Sequence, residues 1–208
     1  MSSEPPSPRI NRGSGPKGKM KEWNYRSRSL RHLLTDFESR CAYSMRHTLR
    51  AGVDCAEVDH FNPKLKNSLR HRYSNLMLAF RSCNNKKSNH WPTSQMQREG
   101  VRFLNPTKER DYGAQIFEDP QTGKLIPTSP AAFYHIEMLG LNAATFVRER
   151  VDRRALAKLF PTPDQLHFGG SSPAEMLKSL TVIRDLIQNM IPPIPELPAD
   201  QSAFPPDC

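Results

Sequence analysis

The chain has 208 residues, 37% of them hydrophobic, with 30 Lys/Arg against 21 Asp/Glu and a formal net charge of +9. So few apolar residues, together with 19 prolines, set a packed core over only part of the length. No apolar run approaches the roughly 18 residues of a membrane span and no hydrophobic stretch follows the N-terminus, so a soluble, cytoplasmic protein is expected.

The charge is uneven. Residues 1–110 hold 22 Lys/Arg against 9 Asp/Glu, and residues 111–208 hold 8 against 12. A basic half suggests a polyanionic partner, because each phosphate neutralised releases condensed counterions. The four cysteines, Cys41, Cys55, Cys83 and Cys208, form no C-x-x-C pair, and a disulfide framework is not expected.

In chain order, residues 1–22 are rich in Ser, Pro, Gly and Lys/Arg and predict a disordered basic arm. Leu30, Leu33, Leu34 and Phe37 recur at helical spacing and predict a helix near 27–39. "CAYSM" and "CAEVDHF" read as two strands of a hairpin with a long connection. In "YSNLMLAFRSCNNKKS", Leu76, Met77, Phe80 and Cys83 share a helical face behind Ser74 as N-cap, which predicts a second helix.

Beyond residue 92 a loop and a small hairpin turning at Gly123 are expected. Two helices broken near Gly140–Asn142 follow, then a helix opened by Ser172 and Pro173. The Pro-rich end reads as extended or disordered. The divisions are an arm over 1–22, a core over 23–95, a mainly helical region over 96–191 and a tail over 192–208.

Asp59 and His60 stand side by side ahead of Pro63, with Asn75 and then "CNNKK" downstream. A cleft holding these side chains has the parts for phosphodiester hydrolysis: a base for water, hard oxygen ligands for a cation and positive charge for the phosphate. His60, neutral near pH 7, suits the base; Asp59 and the Asn84 amide supply oxygens; Lys86 and Lys87 would face phosphates. Lys64, Arg72 and Arg81 are further backbone-contact positions. His71 reads as an exposed loop residue or a substrate contact, and Arg148, Arg150, Arg153 and Arg154 as a basic cluster that extends the footprint or docks a partner.

"EVDHFNPK…YSNLMLAFRSCNNKK" resembles the HNH (ββα-metal) nuclease motif, E-x-D-H-hydrophobic-x-P, then N-L, then C-N-x-x-K. The resemblance implies an α+β fold, a ββα-metal core with helical N- and C-terminal additions. It implies His60 as general base, and Asp59 and Asn84 as ligands of one Mg²⁺ or Mn²⁺. Asn75 would pin the loop that orients His60, and Lys87 is the closing lysine. The implied substrate is double-stranded DNA, with no membrane. A double-strand break from one site per chain would take a homodimer or two events. Many relatives carry two C-x-x-C pairs around a structural zinc; here Ser44 and Phe80 stand where partners of Cys41 and Cys83 would be, so no structural zinc is expected. "RFLNP…GAQIFEDPQTGKLIP…YHIEMLGLNAATFVRERVDRR" is similar to the region after the motif in HNH proteins of Septu-type anti-phage defence, which implies an ABC- or SMC-type ATPase partner. The other reading is a non-cleaving nucleic-acid-binding or adaptor module on the same fold.

Overall fold

A computed structural model describes residues 8–159, 181 and 190–205. It has helices and two small antiparallel sheets, an α+β arrangement. Among the described residues no helix is long and apolar enough to cross a membrane. The helix expected after Ser172 lies outside the described residues.

Helix α1 spans Tyr25–Asp36 and buries Tyr25, Ser29 and Leu33, one helical stripe. It stops where Glu38 and Ser39 take positive φ values of 50° and 56°. Residues 41–45 form no strand. The Cys41 N–H turns back to the Arg46 carbonyl at 2.9 Å and the Ala42 N–H reaches the Leu78 carbonyl at 2.7 Å, which leaves a tight turn closed by an Arg40–His47 bridge. A short α2, Thr48–Ala51, follows with His47 as its N-cap.

Strand β1, Ala56–His60, pairs antiparallel with β2, Leu76–Phe80, so that Asp59 faces Met77 and His60 faces Leu76. Between them lie a one-turn α3, Asn67–Arg70, and a 3-10 turn, Tyr73–Asn75. The second predicted helix is therefore corrected: its first half is β2, and only Arg81–Lys87 is helical, as α4. All five β2 residues are buried. A helix of this length buries one stripe, whereas a strand covered on both faces buries every side chain, and a short apolar run does not distinguish them by period. Helix α1 packs on both strands and α4 continues from β2.

After α5, Ser94–Arg98, the chain forms the expected hairpin of β3, Ile116–Glu118, and β4, Leu125–Pro127. Gly123 turns it at φ 71°. Helix α6, Pro130–Leu139, begins on the Ser129 cap and ends at left-handed Gly140, and α7 spans Ala144–Leu159. One buried cluster joins α1, β2 and α4 to Phe103, Leu104, Ile136 and Leu139, so apolar packing crosses the expected division at 95/96.

Both ends are docked on the core. Residues 8–22 are not a loose arm: Ile10 is buried, Arg9 pairs with Asp111 at 2.9 Å, and Arg12 donates to the Tyr73 carbonyl at 2.9 Å. At the other end Ile191 and Ile194 are buried and the Pro195 carbonyl accepts the Glu118 N–H at 2.9 Å. The proline-rich tail is extended but docked. Proline and arginine composition marks weak self-association of a segment, not the absence of partners elsewhere in the chain.

Candidate active site

The antiparallel register places consecutive β1 residues on opposite faces. Asp59 turns inward and is 5% exposed, whereas His60 ends the strand partly exposed. Together with Asn84 and Asn85 of α4 and Tyr25 and Arg26 of α1, they line an open cleft of about 330 Å³.

Asp59 is held from two sides. The Tyr43 hydroxyl donates to Oδ2, and Lys87 Nζ lies 3.0 Å from Oδ1 while also donating to the His60 carbonyl at 2.7 Å. Burial pushes the Asp59 carboxyl above its ordinary range, opposed by the Lys87 ammonium and both hydrogen bonds. Burial likewise lowers Lys87, opposed by Asp59. Lys87 is 0% exposed, with its ammonium 5.7 Å over the Phe103 ring. In this arrangement it faces inward to Asp59, not outward to a phosphate.

His60 Nε2 is 3.0 Å from His71 Nδ1, and Nδ1 of His60 has no protein partner among the described residues. Burial, then the neighbouring His71, lower the His60 ring to about 4, so it is neutral at physiological pH. His71 is not an exposed loop residue; it is 5% exposed and stacked 4.7 Å from the Tyr25 ring.

Asn75 lies in the 3-10 turn before β2, not at a helix start. Its Oδ1 accepts the Asn62 N–H at 3.0 Å, and its Nδ2 donates to the carbonyls of Asn62 at 3.1 Å and Arg70 at 2.9 Å. One side chain thus ties both ends of the loop that follows His60.

Asn84 Nδ2 donates to Glu57 Oε2 at 2.7 Å. A carboxylate only accepts, so the amide nitrogen must face Glu57, and Oδ1 is the end left without a protein partner among the described residues. Asp59 and Asn84 both line the cleft, although Lys87 and Tyr43 already engage both Asp59 oxygens. Among the described residues no group of three or more His, Cys, Asp or Glu side chains could hold a metal. The pair fits an ion that keeps most of its waters, as Mg²⁺ does.

The remaining basic residues divide. Lys64, Arg72, Arg81 and Lys86 are exposed, and Arg81 pairs with Glu57 at 2.9 Å. Lys86 leans its stem toward Gly140. The α7 cluster is corrected: Arg153 and Arg154 both pair with buried Glu118, at 2.7 and 2.9 Å, and Arg150 donates to the Gly123 and Leu141 carbonyls at 2.6 and 3.0 Å. Those three side chains bind α7 to the hairpin; only Arg148 is exposed. Cys41 and Cys83 are buried free thiols, and Sγ of Cys41 accepts the Phe80 and Ser44 N–H groups at 3.4 and 3.5 Å.

Tyr25, Arg26 and Tyr43 escaped the sequence reading. Tyr25 looks like an ordinary buried helix residue, and nothing in "CAYSM" announces that its tyrosine reaches Asp59. Arg26 shows only as one basic residue among many in "YRSRSLR".

Residues 39–90 match the HNH endonuclease family model. The matched HNH segment runs from the turn before α2 to the end of α4 and includes Asp59, His60, Asn75, Asn84 and Lys87. An HNH match indicates nuclease activity in general. No curated protein and no solved structure matches the chain.

Proposed function

We propose that the protein is a metal-dependent endonuclease that hydrolyses phosphodiester bonds of double-stranded DNA, with His60 as general base. The observation that carries this reading is the neutral His60 ring sharing one open cleft with Asp59 and the free Asn84 oxygen. Asp59 and Asn84 would hold one divalent ion, Mg²⁺ or Mn²⁺, which supplies charge for the phosphate and leaving oxygen.

His60 Nδ1 takes the proton of the attacking water. Lys87, donating to both Asp59 and the His60 carbonyl, fixes the end of β1 and keeps the Asp59 carboxylate in place. Asn75 holds the following loop closed so that the His60 backbone does not shift. Arg26 on the cleft wall and exposed Lys64 and Arg72 supply charge for flanking phosphates. A Septu-like defence setting with an ATPase partner, and a homodimer for double-strand breaks, rest on sequence resemblance and on the one-site, one-strand argument alone.

The test is cleavage of supercoiled plasmid by the full chain with Mg²⁺ or Mn²⁺, beside His60→Ala and an EDTA control. Metal-dependent nicked or linear product from the wild type, absent for His60→Ala with DNA affinity retained, supports the reading. Equal loss of binding by His60→Ala would make His60 structural. Binding without cleavage at every metal tried would favour the non-cleaving module.

A further inference from the structure

The His60 ring is not held by the HNH segment alone. Behind it stands His71, whose Nδ1 lies 3.0 Å from His60 Nε2, and behind His71 stands Glu22, whose Oε2 lies 2.6 Å from His71 Nε2. Arg70 fixes the same Glu22 oxygen at 2.8 Å. Tyr25 presses its ring to within 4.7 Å of both imidazoles, which keeps the two rings edge to face at 62°. Glu22 belongs to the segment leading into α1 and lies outside the matched residues 39–90.

This order of groups fixes where the protons sit. An ionised carboxylate has no hydrogen to give, so the His71 nitrogen facing it must carry the N–H; a bare lone pair at 2.6 Å would be repelled. The ring N–H points off the line to Oε2, so the contact is bent and selects the tautomer through the N–H dipole rather than through an aligned hydrogen bond. In neutral His71 a proton on Nε2 leaves Nδ1 as an acceptor. The nitrogen facing Nδ1 is His60 Nε2, which must then donate. His60 is thereby left with its lone pair on Nδ1, the nitrogen that has no protein partner among the described residues.

We propose that Glu22 and His71 are positioning residues that lock His60 in the Nε2–H tautomer and leave Nδ1 bare as the atom that accepts the proton of the attacking water. The inference rests on the nuclease reading for its last step, the identity of the proton donor, but the tautomer itself does not depend on catalysis. Balance is simple: water loses one proton to His60 Nδ1, the His60 Nε2–H stays with its nitrogen facing neutral His71 Nδ1, and Glu22 remains a carboxylate behind His71. No proton need travel to Glu22.

Two arms test it. In nitrogen-15 NMR of the full chain at mildly alkaline pH, His60 is expected to show a protonated Nε2 and a bare Nδ1, shifting toward a tautomer mixture in Glu22→Ala. A protonated Nδ1 in the wild type would overturn the proposal. In plasmid cleavage, Glu22→Ala, a change at an exposed side chain, is expected to lower kcat about tenfold with KM unchanged. His71→Ala is expected to lower kcat about a hundredfold, and His71→Gln, whose amide oxygen can still accept from His60, to recover part of it. Wild-type kcat in Glu22→Ala and His71→Ala, with His60→Ala inactive, would sink the positioning role and leave the nuclease reading standing. An inactive wild type whose His60 nevertheless shows the Nε2–H form would do the reverse, supporting the tautomer lock while removing the nuclease reading.

Discussion

Lys87 Nζ lies 2.9 Å from Asp59 Oδ2, with one side chain fully buried and the other nearly so. Neither charge has water to fall back on, so each is tolerated only because the other is present. The lysine that closes the nuclease motif therefore does its work behind the carboxylate.

Lys87→Met should strand the Asp59 charge with the Tyr43 hydroxyl as its remaining side-chain donor, at a cost of about 3–5 kcal/mol. The double variant Asp59→Asn with Lys87→Met should be less destabilised than the two single losses added together. Urea unfolding midpoints of the four proteins check this. A loss below about 1 kcal/mol for Lys87→Met would mean that Asp59 sheds its charge in the fold.

Truncation of residues 1–22 should lower thermal stability. Arg9 leaves buried Asp111, Arg12 leaves the Tyr73 carbonyl, and Ile10 leaves the core. Arg12→Ala alone removes charged donors to the backbone at the entry to β2 and should cost about 1–3 kcal/mol. Calorimetry of both variants reads the effect. A truncated chain with unchanged melting, and only a flatter salt dependence of DNA binding, would restore the free-arm reading.

Arg153→Ala should destabilise the protein by about 2–4 kcal/mol, because Glu118 is buried and keeps only Arg154. The slope of DNA affinity against salt should stay as in the wild type, since Arg153 is paired with Glu118 and neutralises no phosphate. Arg72→Ala, on an exposed side chain, should reduce that slope with little change in stability. The opposite pattern would place α7 against the nucleic acid.

His135 is fully buried, accepts the Leu104 N–H at 3.1 Å, and is lowered by burial to about 4. The unfolded chain therefore binds a proton below about pH 6.5 that the folded chain refuses until about pH 4, and stability must fall as pH drops through that window. The contribution is at most about 3 kcal/mol at the acid end. His135→Gln should flatten the stability curve between pH 6.5 and 4. An equally steep curve would assign the acid sensitivity elsewhere.

The residues of the cleft were legible because the motif orders them along the chain. Asp59, His60 and Asn84 do meet on one cleft wall, while Asn75 pins the loop beside it. What was not legible came from partners distant in sequence. His71 looks like any loop histidine until Glu22 and Tyr25 are brought against it. Arg150, Arg153 and Arg154 look like a phosphate-binding stripe until Glu118 and the carbonyls of the hairpin claim them. β2 was missed for a local reason: five apolar residues in a row carry no period, so only the neighbours on both sides decide between strand and helix.

Arg9 reaches Asp111 across 102 positions, and Arg40 reaches the Met190 carbonyl across 150. Contacts of such span are made late, because the entropy of closing the loop must be met before they stabilise anything. On a ribosome, the strap over residues 9–12 cannot seat before Asp111 is synthesised, nor Arg40 before Met190. From residue 90 until residue 190 is made, the growing chain would carry the whole HNH segment on a scaffold that had not yet closed.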